Sequence, residues 1–337
     1  MGVAAVFAVL IAVVVTTIVT SGTDAPGAPG PKRTPTRFEP ADGTRYLGVS
    51  TSGTGAALSD FLTTVGRPSV AIYNRWSQPM GSFGWILREI SPRDRVTLMI
   101  SWNLPGEGSQ ASIANGSVDP YLRDRAAELR AYRRPVFLRI NWEFNGCYYE
   151  WSTLDCSGTA RPGNSPHDFV AAWRHVARMF ADVPNVTLVW SPTLFAPLPG
   201  GHGLSIWDYY PGDDAVGWIG MDAYPGSAPW DVMQHADQGM NSIDAFARSH
   251  HKPVMLAEWG LNDLSTGDDP RWVDREMNWV IDHPATKAVI YFDYDVRATE
   301  GKDYRLASFP RAAAALRAIV AAPSWLTVLC RNQCGPP

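Results

Sequence analysis

Two glutamates have sequence surroundings that suit chemistry on glycosidic bonds. Glu143 lies in the string LRINWEFNG and Glu258 in the string LAEWG, and each follows an apolar run and has tryptophan and glycine close by. A retaining glycoside hydrolase needs two carboxyl groups about 5–5.5 Å apart, one to protonate the leaving oxygen and one to attack the anomeric carbon. One such glutamate alone is more often a solvated loop carboxylate. Two of them predict a catalytic pair, with Glu143 as acid/base and Glu258 as nucleophile.

Neighbouring side chains are expected to separate the two roles. The acid needs a raised pKa, whereas the nucleophile must stay ionised. Arg139 precedes Glu143 on the same apolar run and could favour a charge on the nucleophile, because a nearby cation stabilises a carboxylate. Tyr224 could donate its hydroxyl to Glu258.

The elements that must position these residues are short apolar runs that alternate with helical patterns. Most of the runs are nearly continuous, which is typical of parallel strands buried on both faces. The eight predicted strands are Tyr46–Ser50, Ser69–Tyr73, Val96–Ser101, Val136–Ile140, Val186–Trp190, Val216–Met221, Val254–Ala257 and Ala288–Phe292. Three helices are predicted to begin where an N-cap residue precedes proline, after Asp119, Ser165 and Asp269.

Strand followed by helix, eight times, predicts an α/β fold, a single (β/α)8 TIM barrel. An open doubly wound sheet is the alternative, but no glycine-rich phosphate loop follows the first strand. Chemistry in a barrel sits at the C-terminal ends of its strands. Strands four and seven face each other, so Glu143 and Glu258 are predicted to meet over the mouth.

Composition narrows the class of function. The chain has 337 residues, a formal net charge of -4 and no basic block, which argues against a nucleic-acid partner. Its 14 tryptophans and 12 tyrosines suit either a sugar-binding cleft or an aromatic core. No Ser-His-Asp hydrolase is predicted, because the chain has no Gly-x-Ser-x-Gly elbow. We expect no cofactor and no metal, and a monomer.

The chain divides into four predicted segments. Residues 1–20 are predicted to be a signal peptide or an N-terminal membrane anchor, because residues 3–19 carry no charge; no basic residue precedes them and no Ala-x-Ala site follows. Residues 21–44 are a Gly/Pro/Thr-rich linker, 45–322 the barrel, and 323–337 a C-terminal tail. We therefore expect a secreted or surface-anchored protein.

The four cysteines form two pairs that are close in sequence, in loop-like surroundings. Cys147 with Cys156 and Cys330 with Cys334 are predicted to form local disulfides in an oxidising compartment. Free thiols or a four-thiol zinc site are the alternatives. Zinc is disfavoured because neither pair has the two-residue spacing and the pairs lie far apart.

Several strings resemble glycoside hydrolase family 26. That family carries Arg-x-x-His-Glu-Met-Asn-Gly at its acid/base, and here Arg139, Glu143, Asn145 and Gly146 fall in register. WDYYPGDDAVGWIGMDAY is similar to the family's segment around strand six, KPVMLAEWG resembles its nucleophile strand, and SWN resembles the strand-three tryptophan that lines the cleavage subsite. The similarity runs in order from about residue 45 to 320.

This resemblance implies an endo-β-1,4-mannanase, a mixed-linkage β-glucanase or a β-1,3-xylanase, with mannanase favoured. Trp142 and Phe144 replace the family's histidine and methionine beside the acid/base. That histidine normally helps to position the sugar or the acid, so its loss bears on the family's usual β-mannan specificity. The predicted substrate-binding residues are Trp102, Arg139, Asn145, Tyr148, Asp222, Tyr224 and Trp259. Trp190 is predicted to pack. A catalytically silent glycan-binding protein and an enzyme that acts on the producer's own wall or exopolysaccharide are the alternatives.

Overall fold

Eight parallel strands close into a barrel in the computed structural model, which describes residues 36–52, 55–77, 80–89, 95–104, 109–194 and 204–329. The strands are β1 (Arg45–Thr51), β2 (Ile72–Trp76), β3 (Thr97–Trp102), β4 (Val136–Ile140), β5 (Val186–Trp190), β6 (Trp218–Asp222), β7 (Val254–Trp259) and β8 (Thr286–Asp293). Each pairs with the next, and β8 closes the sheet by pairing in parallel with β1 from Tyr46↔Ala288 to Thr51↔Asp293. The predicted (β/α)8 barrel is confirmed.

Helices surround the strands. They are α1 (Gly55–Val65), α2 (Gly84–Glu89), α3 (Gln110–Ala114), α4 (Asp119–Tyr132), α5 (Pro166–Met179), α6 (Trp230–His235), α7 (Met240–Ser249), α8 (Pro270–Asp282) and α9 (Pro310–Val320). Ser165 caps α5 in a capping box with Asp168, and Asp269 caps α8, both as predicted. Asp119 was predicted as an N-cap but is the first residue of α4, where its carboxylate contacts His175 instead.

Side chains alternate between the inside and the outside of the barrel along each strand, because the side-chain period of a strand is two. In β4, Leu138 and Ile140 pack outward among the helices, whereas Phe137 belongs to the core inside the barrel. Arg139 lies on the same inward face as Phe137, two residues nearer the C-terminal end. The alternation therefore points one buried cation toward the mouth, where the site lies.

The domain boundaries differ from the predicted ones at both ends. Residues 36–44, predicted as linker, lie against the barrel: Phe38 packs edge-on against Phe137 at 5.6 Å, and Trp218 Nε1 donates to the carbonyl of Arg37 at 2.9 Å. At the other end, β9 (Trp325–Leu326) pairs with the start of β1, and Trp325 is buried. Apolar side chains on both flanks thus belong to the barrel domain rather than to linker or tail.

Some predictions fall outside the part of the chain that the structure describes. These are the signal or anchor segment 1–20, most of the linker, and the disulfide predicted between Cys330 and Cys334. Within the described ranges, no helix is both long and apolar enough to cross a membrane. The first predicted disulfide, Cys147–Cys156, is confirmed.

Candidate active site

Glu258 lies near the end of β7, where the pairing with β6 and β8 shifts register, and two hydrogen-bond donors hold its carboxylate. Arg139 Nη1 donates to Oε1 at 2.5 Å, and the Tyr224 hydroxyl donates to Oε2 at 2.6 Å. Both contacts were predicted and are confirmed. A cation on one oxygen and a hydroxyl on the other hold the carboxylate in one orientation.

Arg139 is fully buried and also pairs with Asp222, and it contacts Ser101 Oγ at 3.2 Å. Burial lowers the pKa of Arg139, but the charges of Asp222 and Glu258 raise it further than burial lowers it, so the guanidinium stays charged. Burial also raises the pKa of Asp222 well above its usual value, against the opposing effect of Arg139. The side chains of Arg139 and Asp222 are inaccessible to solvent, which corrects their prediction as substrate-binding residues. They orient Glu258 from beneath.

Glu143 lies beyond the end of β4, where the chain leaves regular strand geometry. Its backbone has φ 50° and that of Asn141 has φ 40°, a left-handed conformation that residues other than glycine adopt rarely and at a cost. The Glu143 N–H donates to the Ser191 carbonyl at 2.8 Å, which ties this turn to the end of β5. The strained turn therefore has a fixed place over the barrel mouth.

The carboxyl of Glu143 is buried, and its surroundings differ from those of Glu258. Burial raises the pKa of Glu143 to about 7, and the charge of Glu258 acts in the same direction. The Tyr148 hydroxyl, a neutral donor, lies 2.8 Å from Oε2. A carboxyl with this pKa is protonated in a large fraction of molecules at neutral pH, as a general acid must be.

Asn145 was predicted to bind substrate, but its amide is already used within the protein. Its Nδ2 donates to the Thr193 carbonyl at 2.8 Å, and its Oδ1 accepts from the Thr193 N–H at 3.0 Å. This two-way bond joins the turn after β4 to the loop after β5. The amide of Asn145 therefore stabilises the turn that contains Glu143, and this part of the predicted substrate site is used within the protein.

One cleft of about 890 Å³ contains both glutamates. That volume is in the range of small-molecule and cofactor sites. Besides Glu143 and Glu258, the cleft is lined by aromatic side chains, namely Trp76, Trp142, Tyr148, Tyr149, Tyr224, Phe292, Tyr294 and Tyr304. Such walls suit sugar rings, which have apolar C–H faces, while the tyrosine hydroxyls remain available for hydrogen bonds. Tyr148 and Tyr224, both predicted to bind substrate, therefore lie where substrate would be.

Trp102 and Trp259 were predicted to stack on sugar and do not reach the cleft. Both side chains are 0% exposed. Trp102 packs edge-on against Phe83 at 5.2 Å, and Trp259 against Tyr291 at 5.0 Å. Trp102 follows the inward-pointing Ser101 and therefore points outward by the alternation of a strand. In β7, Met255 and Ala257 lie inside the barrel, and a register shift before Trp259 turns its side chain outward to the helices. Trp190 is also fully buried, as predicted.

The tryptophan at the end of β2 was not predicted to be part of the site. Trp76 lines the cleft and packs edge-on against Tyr294 at 5.0 Å. The predicted second strand ended at Tyr73, three residues before the observed end, so Trp76 was not recognised as a strand-end residue. Trp142 was noted only as a substitution in a motif, yet it forms part of the cleft wall.

A metal site is not visible in the described ranges: no group of three or more His, Cys, Asp or Glu side chains is placed to hold an ion. The two predicted catalytic carboxylates are instead bonded to arginine and tyrosine side chains. The arrangement can therefore supply a proton and a carboxylate nucleophile from the protein's own side chains.

The curated proteins that this chain is similar to are named as glycan-degrading enzymes. No family model matches. Endoglucanase H of Acetivibrio thermocellus is 26% identical over 288 residues, which is 82% of this chain and 30% of that protein. Beta-1,3-xylanase TXYA of a Vibrio species is 28% identical over 188 residues, 53% of this chain and 35% of that protein. The chain thus spans about a third of the length of these curated relatives.

Solved structures share the fold. The Bacillus subtilis mannanase man26 superposes with a TM-score of 0.56 at 16% identity, covering 86% of this chain and 87% of that one. GH26C from a Muricauda species superposes with a TM-score of 0.59 at 16% identity, covering 84% and 87%. The chain therefore shares its fold with these proteins of the family that its sequence was predicted to resemble.

Proposed function

We propose that this chain is a retaining glycoside hydrolase that cleaves a β-linked polysaccharide, with Glu143 as acid/base and Glu258 as nucleophile. One observation carries the proposal. Two glutamates from opposite sides of the barrel line the same cleft, and their surroundings differ: an arginine and a tyrosine bond to Glu258, whereas burial and the charge of Glu258 raise the pKa of Glu143 to about 7. A protein that only binds glycans has no need for such a pair.

In the first step, Glu258 attacks the anomeric carbon and forms a bond to it, while the bond from that carbon to the leaving oxygen breaks. Glu143 gives its proton to the leaving oxygen. Arg139 and Tyr224 keep the Glu258 carboxylate oriented until it attacks. The products are a glycosyl-enzyme ester on Glu258 and the departing saccharide, whose former glycosidic oxygen is now a hydroxyl group.

In the second step, Glu143 acts as a base. It takes a proton from a water molecule whose oxygen bonds to the anomeric carbon, and the ester bond to Glu258 breaks. Both carboxyls return to their starting states, and two inversions give net retention of configuration. The raised pKa of Glu143 suits both steps, because a group that titrates near neutral pH can give and take a proton.

The favoured substrate is a β-1,4-mannan or a related β-glycan cut within the chain. Relatives named as an endoglucanase, a β-1,3-xylanase and mannanases support the class but divide on the sugar. Trp142 occupies the position of a family histidine and forms part of the cleft wall, which favours a changed preference at that wall. The Cys147–Cys156 disulfide supports an oxidising, extracytoplasmic location.

The test is product analysis after digestion of a panel that contains β-mannan, mixed-linkage β-glucan, β-1,3-xylan and carboxymethylcellulose. We expect oligosaccharides from at least one of these, and at least about a hundredfold slower release from the Glu143→Gln and Glu258→Ala variants at equal enzyme concentration. If the wild type binds a polysaccharide on the panel yet releases no product, the glycan-binding alternative replaces the enzyme.

A further inference from the structure

We propose that Tyr148 is a positioning residue for the acid/base: its hydroxyl orients Glu143 and stabilises the carboxylate that Glu143 becomes after it has given up its proton. This inference rests on the proposed function. The hydroxyl lies 2.8 Å from Glu143 Oε2, although the two residues are only five positions apart in the chain. The turn after β4 thus supplies both the acid and its hydrogen-bond donor.

The backbone of this turn has a shape that brings the tyrosine back over the glutamate. The Gly146 N–H donates to the Glu143 carbonyl at 2.8 Å and closes the turn. A Cβ on Gly146 would lie 2.8 Å from Tyr148 Cζ and 3.0 Å from Cε1, closer than real contacts allow. The ring of Tyr148 therefore passes over residue 146 because that residue is glycine.

Covalent and aromatic contacts hold Tyr148 in this position, although 48% of the residue is exposed. The residue before it, Cys147, is bonded to Cys156. The residue after it, Tyr149, lies edge-on to its ring at 4.8 Å and stacks on Trp151 at 4.2 Å. An exposed tyrosine would otherwise move among rotamers, so these anchors preserve a single hydrogen bond.

The surroundings of Glu143 shift its pKa in both directions. Burial and the charge of Glu258 raise its pKa, whereas Arg139 lowers it, and hydrogen bonds from Tyr148 and Asp222 lower it as well. Among these groups, Tyr148 is the one on the exposed side of the cleft, so its removal leaves the buried network beneath Glu258 intact. Loss of the Tyr148 hydroxyl must raise the pKa of Glu143, because a donor to the charged form is lost.

The experiment measures kcat/KM against pH for the wild type and for Tyr148→Phe. We expect the alkaline limb of Tyr148→Phe to move upward by about one pH unit, since a hydrogen bond to a charged group is worth about that much. Gly146→Ala, which keeps the tyrosine but displaces its ring, should move the limb in the same direction. Tyr210→Phe is the matched control: the hydroxyl it removes also donates to a carboxylate, that of Asp213 at 2.8 Å, but lies outside the cleft, so its limb should coincide with that of the wild type.

The two possible failures are distinguishable. If the wild type hydrolyses no glycan, the proposed function fails. If the wild type is active and Tyr148→Phe has the same alkaline limb, with altered KM alone, Tyr148 is only a substrate contact and the inference is wrong.

Discussion

Glu258 and Glu143 are the same residue type in one cleft, and the protein surrounds them in opposite ways. Glu258 lies where the pairing of β7 shifts register, with a buried arginine on one oxygen and a tyrosine on the other. Glu143 lies in a left-handed turn, where the Tyr148 hydroxyl donates to one oxygen and the charge of Glu258 acts on the carboxyl. Because both carboxyls are buried, the comparison teaches that the groups placed around each one, and not burial alone, make the two environments different.

The largest expected effects come from removing each carboxyl and changing the leaving group. Glu258→Ala should reduce kcat at least about a thousandfold on every substrate, because covalent catalysis needs that group. Glu143→Gln should lower kcat/KM roughly 10²- to 10⁴-fold on polysaccharide. It should lower kcat/KM far less on an aryl glycoside, because that leaving group needs little protonation. Steady-state kinetics on both substrates measure this. Equal losses for Glu143→Gln on the two substrates would show that Glu143 is not the acid.

Arg139 should determine both the position of the Glu258 carboxylate and the stability of the buried charges around it. Arg139→Met leaves Asp222 and Glu258 buried without their cation, which should cost about 3–5 kcal/mol in the free energy of unfolding and lower kcat as well. Urea denaturation measures the first effect. The matched control is Arg130→Met, which removes an exposed pair with Asp182 and should change stability by no more than about 1 kcal/mol.

The pH profile addresses the Glu143 side. The pKa of Glu143 is raised to about 7 by burial and by Glu258, and the acid form is the active one in the first step. Because the acid form is lost as pH rises, kcat/KM should fall above about pH 7, tenfold per pH unit once Glu143 is mostly ionised. An alkaline limb that began near pH 5 would mean that Glu143 is an ordinary carboxylate in the free enzyme.

The smallest expected effects compare two tryptophans. Trp76→Ala removes a ring from the cleft wall and should raise KM severalfold, by a loss of about 1 kcal/mol of ring contact. Trp102→Phe changes a ring that is buried among Phe83 and Phe180, so it should lower the melting temperature and leave KM unchanged. A raised KM in Trp102→Phe with unchanged stability would restore its prediction as a sugar-stacking residue.

Sequence alone predicted the barrel, both glutamates, and the contacts of Arg139 and Tyr224 with Glu258. These follow from strand order, because residues at the C-terminal ends of opposite strands meet over one mouth. The predictions that Trp102 and Trp259 stack on sugar were wrong. The sequence indicated where each strand ends but not which of its side chains point into the barrel. Trp259 is next to Glu258 in sequence and on the other side of the sheet in space.

Other features depend on distances that no local pattern records. The left-handed turn at Glu143 and the bond between Asn145 and Thr193 come from the meeting of two loops. The packing of Phe38 under the barrel joins residues almost a hundred positions apart in the chain, within a stretch whose composition indicates a linker. Composition describes the local chain, whereas these contacts arise only once the sheet has closed.

The stereochemistry of the first product tests the central claim most directly. Digestion of a reduced or aryl-labelled β-oligosaccharide can be followed by proton NMR from the first seconds, before the anomers equilibrate. The division of roles between Glu258 and Glu143 predicts that the β-anomer appears first and the α-anomer only later, through mutarotation. An α-anomer that appears first would mean direct attack by water and would contradict the assignment of Glu258 as nucleophile.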